Sequence, residues 1–251
     1  MRVQKQLEVD SHLYQRVRYL LRHNHHDMYI DENDIIKVID QTNISGNNRK
    51  YLELYDKIAP LYRIANTIYF KWKFGGEENY RNEFLSALEI KPYDKILETS
   101  VGAGDNFRFI RKDVSLVGVD LSYGMLKQAR KNLKKWQRDA YLFQGNAEIL
   151  PFKNNLFDVV FHVGGINFFN DKEKAIQEMI RVAKSGTKIM IVDETEELIE
   201  TTYKKTPITN KYYQETDQVT SLLEYIPTDM LDIQYKEICK GLMYCITFRK
   251  P

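Results

Sequence analysis

The stretch Lys95–Gly104, KILETSVGAG, constrains this chain more than any other. It reads as a short apolar strand built on Ile96 and Leu97 that ends on an acid, Glu98, and runs at once into a glycine-bearing turn. Gly102 and Gly104 let backbone approach a ligand closely, because a Cβ would block it or forbid the φ such a turn needs. A second strand, VSLVGVD, ends on another acid, Asp120. Two strand-end carboxylates of this kind outline a ribose pocket at the carboxyl edge of a parallel sheet, where open α/β folds bind ligands.

The charge of the turn selects among nucleosides. A dinucleotide site wants G-x-G-x-x-G, its third glycine allowing close helix–strand packing. Here Gly102-Ala103-Gly104 is followed by Asp105, Asn106 and Phe107, so the third glycine is missing. A pyrophosphate would sit at the helix start, where backbone N–H groups favour anions, yet Glu98 and Asp105 flank this turn. Each close pair of like charges costs about 1 to 4 kcal/mol, depending on the local dielectric. S-adenosylmethionine carries an ammonium, a sulfonium and no phosphate. It fits the turn better than NAD does.

With those residues in view, 51–195 resembles a class I S-adenosylmethionine-dependent methyltransferase, in the group typified by ubiquinone and menaquinone biosynthesis C-methyltransferases. The matching segments run in order: YDKIAPLYRIAN, ILETSVGAGDN, LVGVDLSYGMLKQAR, GNAEILPFKNNLFDVVFHVGG and EMIRVAKSGTKIMIVDE. The family usually shows an acid, one residue, then G-x-G-x-G; this chain has Ser100 in the first glycine place. The resemblance implies a Rossmann-like α/β fold, a seven-stranded mostly parallel sheet with an antiparallel C-terminal hairpin. It also implies S-adenosyl-L-methionine as cofactor and a small-molecule methyl acceptor.

Carried over residue by residue, the resemblance gives Glu98 the methionine ammonium. Ser100, Gly102 and Gly104 would line the methionyl and ribose portion, and Asp120 would accept from the ribose hydroxyls. Leu121 and Met125 would pack near the adenine. Asn146 and Ala147 would meet the adenine amino group, Asn146 through its carbonyl oxygen. His162 would offer its backbone carbonyl to the amino end. The sulfonium is already activated, so transfer depends on aligning the acceptor, and a base matters only where the acceptor must lose a proton. Tyr62, His162, Asn167 and Asp193 are the candidates for that base.

The rest of the chain bounds the reading. At 251 residues and 43% hydrophobic it can bury a full core. No apolar run approaches the roughly 18 residues that span a bilayer, and the N-terminus lacks the apolar region of a signal peptide. Cys239 and Cys245 read as free buried thiols in a cytoplasmic protein. A net charge of +2 leaves no nucleic-acid footprint. The basic stretch Lys127, Arg130, Lys131, Lys134, Lys135 and Arg138 reads as a solvated helix face with cations toward its C-terminus.

Residues 1–50 read as a helical extension, packed on the catalytic domain or on a partner, a homodimer included. One helix runs through Leu13, Val17, Leu20 and Leu21, and a second is expected from Asp31, with Asp34 in a capping arrangement and Ile35, Ile36, Val38 and Ile39 inside. His23, His25, His26 and Asp27 lack metal-site spacing and read as a solvated helix end, so no metal is assigned. The methyltransferase domain is expected over 51–251, with a lid at 51–93 and an acceptor-side insertion at 200–230. Its core is expected to stand without the first 45 residues. Strands are expected at 94–99, 115–120, 140–144, 157–163 and 187–193, then a two-stranded tail joined at Lys240-Gly241.

Two function classes follow. The first is a methyltransferase acting on a small molecule, planar or apolar if the aromatic residues at 62, 69, 70, 72, 168 and 169 line its site. The second is a catalytically silent S-adenosylmethionine-binding regulator or subunit acting through the extension. An NAD-dependent dehydrogenase stands a distant third. Arsenite-type transfer is disfavoured, because it needs pocket cysteines and both cysteines here are C-terminal.

Overall fold

The computed structural model describes residues 11–22, 28–39, 44–205 and 221–251. The apolar runs form the parallel strands β3 (Lys95–Thr99), β4 (Ser115–Asp120), β5 (Tyr141–Gln144), β6 (Val159–Val163) and β7 (Lys188–Glu194). Two N-terminal strands, β1 (Tyr29–Ile30) and β2 (Ile35–Lys37), and a tail hairpin, β8 (Leu231–Ile238) and β9 (Met243–Arg249), extend the sheet. The order is β1-β2-β5-β4-β3-β6-β7-β9-β8, nine strands among the described residues where seven were expected. β9 enters antiparallel to β7, with Val192 opposite Cys245, and β8 pairs antiparallel to β9.

Strand β3 sits where the order reverses, with β4 on one side and β6 on the other. Ligands of open α/β sheets bind outside the carboxyl ends of the strands at such a switch point. Glu98 and Asp120 are therefore carried to the mouth of one crevice. Alternate residues of these strands feed two cores, one on each face. Leu97, Val117, Phe143, Val160 and Ile189 pack with helix α5 (Lys172–Val182). Ile96, Leu116, Leu142, Phe161 and Met190 pack with helix α4 (Tyr123–Trp136). Burial on both faces accounts for runs such as VVFHV and KIMIV that show no polar alternation.

The extension departs from its helical expectation. Helix α1 (Ser11–Arg18) forms and seats Val17 in the core. The helix expected from Asp31 does not form. Asp31 instead closes a turn, its Oδ1 accepting from the backbone N–H groups of Asn33 (2.9 Å) and Ile35 (3.0 Å), with Asp34 at φ 56°. The β-branched pair Ile35-Ile36 then pairs in parallel with β5, Ile35 opposite Leu142 and Ile36 opposite Phe143. β-branched residues are restricted at χ1 in helices and fit a pleated, buried surface better. Ile35 lies in one face's core and Ile36 in the other's. A domain boundary at residue 50 would cut β2 away from its sheet. The histidine cluster at 23–26 and Asp27 lie outside the described residues.

The basic helix face is only partly solvated. Arg130 donates to the carbonyls of Asn33 (3.1 Å), Asp34 (2.7 Å) and Ala140 (3.3 Å), pinning the N-terminal turn onto α4. Arg138 is buried and donates to the carbonyl of Arg111 at 2.8 Å. Cys239 and Cys245 are buried free thiols; Cys245 faces Lys236 across the tail hairpin, so the hairpin does not pair them. Burial pushes Cys239 up to about 12 and Cys245 to about 11. No described helix is long and apolar enough to cross a membrane.

Candidate functional site

A cavity of about 670 Å³ opens at the carboxyl ends of β3 and β4. Eight of the ten residues expected to bind cofactor line it: Glu98, Ser100, Gly102, Asp120, Leu121, Met125, Asn146 and Ala147. Gly104 and His162 do not. Gly104 turns the chain at φ 74°, a left-handed conformation that favours glycine, while a Cβ there would make only ordinary contact with Ala129 on α4. Ser100, standing where the family shows glycine, adopts φ 56°, a left-handed conformation that costs a side-chain-bearing residue roughly 1 kcal/mol.

The turn holds its shape through Asp120. One carboxylate oxygen accepts from the Gly102 N–H and the other from the Ser122 N–H, both at 2.8 Å. The acid thus ties the turn after β3 to the start of α4, where Ser122 caps the helix by accepting from Met125 N–H at 3.1 Å. Each oxygen keeps a lone pair for a ligand hydroxyl. Burial raises the Asp120 carboxyl to about 6. Gly118, mid-strand in β4, is required for close approach: a Cβ there would stand 2.8 to 2.9 Å from the Val101 side chain.

Glu98 is almost wholly buried, and its Oε2 has no hydrogen-bond partner among the described residues. Its other oxygen, Oε1, accepts from Asn106 Nδ2 at 2.5 Å, and Asn106 Oδ1 in turn accepts from the buried guanidinium of Arg81. Arg81 also pairs with Glu77 (3.0 Å) and Asp105 (3.8 Å). Burial pushes Glu98 up to about 8, against the opposing pull of Asn106 and Arg81. Arg81 and Asn106 escaped sequence reasoning. Arg81 lies on helix α3 (Glu77–Leu85), and nothing local in the sequence ties it to a turn that follows the next strand.

The rest of the cavity wall is largely apolar, with Asn48, Lys57, Glu194 and Thr202 set into it. The long helix α2 (Gly46–Phe74) covers it with Tyr51, Leu54, Tyr55 and Ile58, and Phe168, Phe169, Leu198, Leu242 and Met243 complete the wall. Asp56 fastens α2 over the site, accepting from Ser122 Oγ at 2.5 Å and Gly124 N–H at 2.8 Å. Of the aromatic residues expected here, Phe168 and Phe169 line the cavity, whereas Trp72 is 84% exposed. The side chains of Tyr62, Tyr69 and Phe70, like residues 206–220 of the expected insertion, lie outside the described residues.

Three of the four candidate bases, His162, Asn167 and Asp193, are buried and do not line the cavity. His162 is fully buried, bonded to Thr99 Oγ1 at 3.0 Å and edge-on to Phe169, and burial lowers it to about 4. Asn167 donates to the Tyr244 hydroxyl at 3.0 Å. Asp193 accepts from the backbone N–H groups of Gly165 (2.6 Å) and Asn167 (2.9 Å), which fixes the turn after β6. The acid that does line the cavity is the next residue, Glu194.

Residues 97–191 match the family model described as a methyltransferase domain. The chain is 28% identical over 162 residues to the ubiquinone/menaquinone biosynthesis C-methyltransferase UbiE of Wigglesworthia glossinidia brevipalpis, covering 62% of this chain and 64% of that one. It is 30% identical over 170 residues to the uncharacterized methyltransferase YdaC of Bacillus subtilis (strain 168), covering 66% of this chain and 89% of the relative. The alignments span less than two thirds of the first curated relatives' own length. A solved Haemonchus contortus phosphoethanolamine N-methyltransferase 2, in complex with S-adenosyl-L-methionine, superposes with TM-score 0.60 at 18% identity, over 83% of this chain and 61% of that one.

Proposed function

We propose that this chain, which belongs to the class I S-adenosylmethionine-dependent methyltransferase family, transfers a methyl group to a small apolar molecule. The observation that carries the reading is the orphaned Glu98 Oε2, a buried carboxylate oxygen at a cavity wall with no hydrogen-bond partner among the described residues. A buried carboxyl oxygen left unpaired is costly, and an ammonium group is the complement that would hold it ionised. The residues present fit the cofactor. Glu98 would hold the ammonium, the free lone pairs of Asp120 the ribose hydroxyls, and Leu121, Met125, Asn146 and Ala147 the adenine. When bound, S-adenosyl-L-methionine supplies an electrophilic methyl group.

The protein's own contribution is orientation and exclusion of water. The chain Arg81–Asn106–Glu98 aims the carboxylate, so that Glu98 enters binding pre-oriented. Asp120 fixes the ribose end to the same two turns that it braces. Helix α2 and the aromatic wall keep water from the acceptor end, where one molecule must be held in line with the methyl group. The wall favours an apolar or planar acceptor, in keeping with a relative named for quinone biosynthesis. A cytoplasmic site of action goes with this reading.

Binding should depend on pH through Glu98. The unliganded carboxyl sits at about 8 and would ionise against an ammonium, so binding releases a proton below that pH. Affinity for S-adenosylhomocysteine should therefore rise from pH 6 to pH 8, by up to about tenfold per unit. Above that it should level off, because the Glu98 carboxyl is then already ionised before the ligand arrives. Linkage gives the unliganded protein the opposite trend. With a raised folded value, Glu98 contributes stability that is lost as pH climbs from its ordinary 4.5 toward 8. Calorimetry at pH 6, 7 and 8 decides the point, and a flat affinity across that range would rule out Glu98 as the ammonium's partner.

A further inference from the structure

We propose that Gln144 is the positioning residue that makes the site selective for adenine, by holding the two loops that flank the base at one fixed separation. The proposal rests on the cofactor reading of the cavity and adds to it what sets the choice of base. Leu121 follows β4, Asn146 and Ala147 follow β5, and all three line the cavity. Gln144, the last residue of β5, does not line it. Its side chain is buried, so it acts on the base through its neighbours.

Gln144 stands opposite Asp120 in the parallel pairing of β4 and β5. The Gly145 N–H donates to the Asp120 carbonyl at 3.0 Å, which closes the backbone ladder. The Gln144 side chain carries the tie one residue further: its Nε2 donates to the Leu121 carbonyl at 3.1 Å. The loop after β5 is thereby fastened to the residue of the β4 loop that faces the cavity. Asn146 is fixed on its own side, its Oδ1 accepting from the Glu148 N–H at 2.8 Å and keeping a second lone pair. The extension backs the same loop. Val38 N–H donates to the Gln144 carbonyl at 3.1 Å, and a Cβ on Gly145 would come within 3.1 Å of the Val38 side chain. Val38 blocks the loop on one side, and Gln144 tethers it on the other.

Selectivity follows from the fixed spacing. The adenine amino group is a donor that Asn146 can accept from. Hypoxanthine carries a carbonyl oxygen at that position, and two acceptors face to face leave both unpaired. Such a mismatch counts only where the loop is not free to move away from it. A tethered loop keeps the full difference between the bases, and it meets adenine without first being ordered. A loop cut loose from Leu121 would hold adenine less well and would relax around the wrong base.

The test is equilibrium binding of S-adenosylhomocysteine and S-inosylhomocysteine to the full chain and to Gln144→Met, which keeps the side chain's length and removes its donor. The parent should bind the adenosyl compound about tenfold or more tightly. In Gln144→Met that preference should shrink to about threefold, with most of the loss on the adenosyl side. A purely structural role would weaken both compounds alike and leave the ratio unchanged. In the parent, the side-chain amide NMR signals of Gln144 should shift when S-adenosylhomocysteine binds, a readout that does not need the variant to fold. Three results each overturn the proposal: equal binding of the two compounds by the parent, an undiminished preference in the variant, or Gln144 amide signals that ignore the ligand. Failure to bind S-adenosylhomocysteine at all would instead sink the reading of the cofactor site.

Discussion

A chain lacking residues 1–45 should fail to fold cooperatively. The deletion removes Val17, Leu20, Leu21, Ile30, Ile35 and Ile36, all buried. At about 1.5 to 3 kcal/mol for each side chain withdrawn from water, the six contribute roughly 9 to 18 kcal/mol, as much as the roughly 5 to 15 kcal/mol by which a whole domain is stable. It also strips β2 from β5 and leaves that strand as a bare, apolar edge, a template for aggregation. Ile36→Ala should show the same dependence in milder form, losing about 2 to 5 kcal/mol. Denaturant melts of both proteins are the measurement. A truncated chain that stays soluble and unfolds in one sharp transition would show the extension to be dispensable.

Asp120→Ala should weaken binding of S-adenosylhomocysteine by roughly tenfold or more, since a hydrogen bond to a charged group is worth about 1.5 to 3 kcal/mol. The geometry sharpens this expectation. Asp120 also accepts from Gly102 and Ser122, so the variant loosens the turn after β3 as well as removing the proposed ribose contact. Asp120→Asn should therefore fail almost as badly: its amide nitrogen cannot accept, and it would face a backbone donor. Tm should drop in both variants because two backbone N–H groups lose their acceptor. Parent-like affinity in Asp120→Asn would mean that neither the ribose contact nor the brace matters.

The parallel strands and the acids at their carboxyl ends were legible in the sequence because each is written locally. A buried parallel strand is an unbroken apolar run, and its carboxyl end is marked by the acid that follows; Glu98 and Asp120 needed no knowledge of contacts across the sheet. Strand β2 was not legible in the same way. Three residues carry no measurable period, and Asp31 with Asp34 imitates a helix start until the pairing partner at β5 is known. The acceptor end failed for another reason. Asp193 and Glu194 are adjacent at the end of a strand and both reach the Gly165 N–H, so the VDE motif could not say which acid meets the cavity. Arg81 and Arg130 act on residues far away in the chain, and their roles exist only once the fold has brought those residues together. The basic helix face looked like a solvated surface because Arg130's partners are backbone carbonyls, which leave no mark in a sequence.

Titration of the full-length protein with S-adenosylhomocysteine and, separately, with NAD tests the central claim most directly. An orphaned carboxylate at Glu98, the proposed ribose acceptor at Asp120 and no third glycine predict binding of S-adenosylhomocysteine, with a Tm that rises with ligand concentration as RT ln(1 + [L]/Kd) requires, and no response to NAD. A rise in Tm with NAD, and none with S-adenosylhomocysteine, would contradict the account.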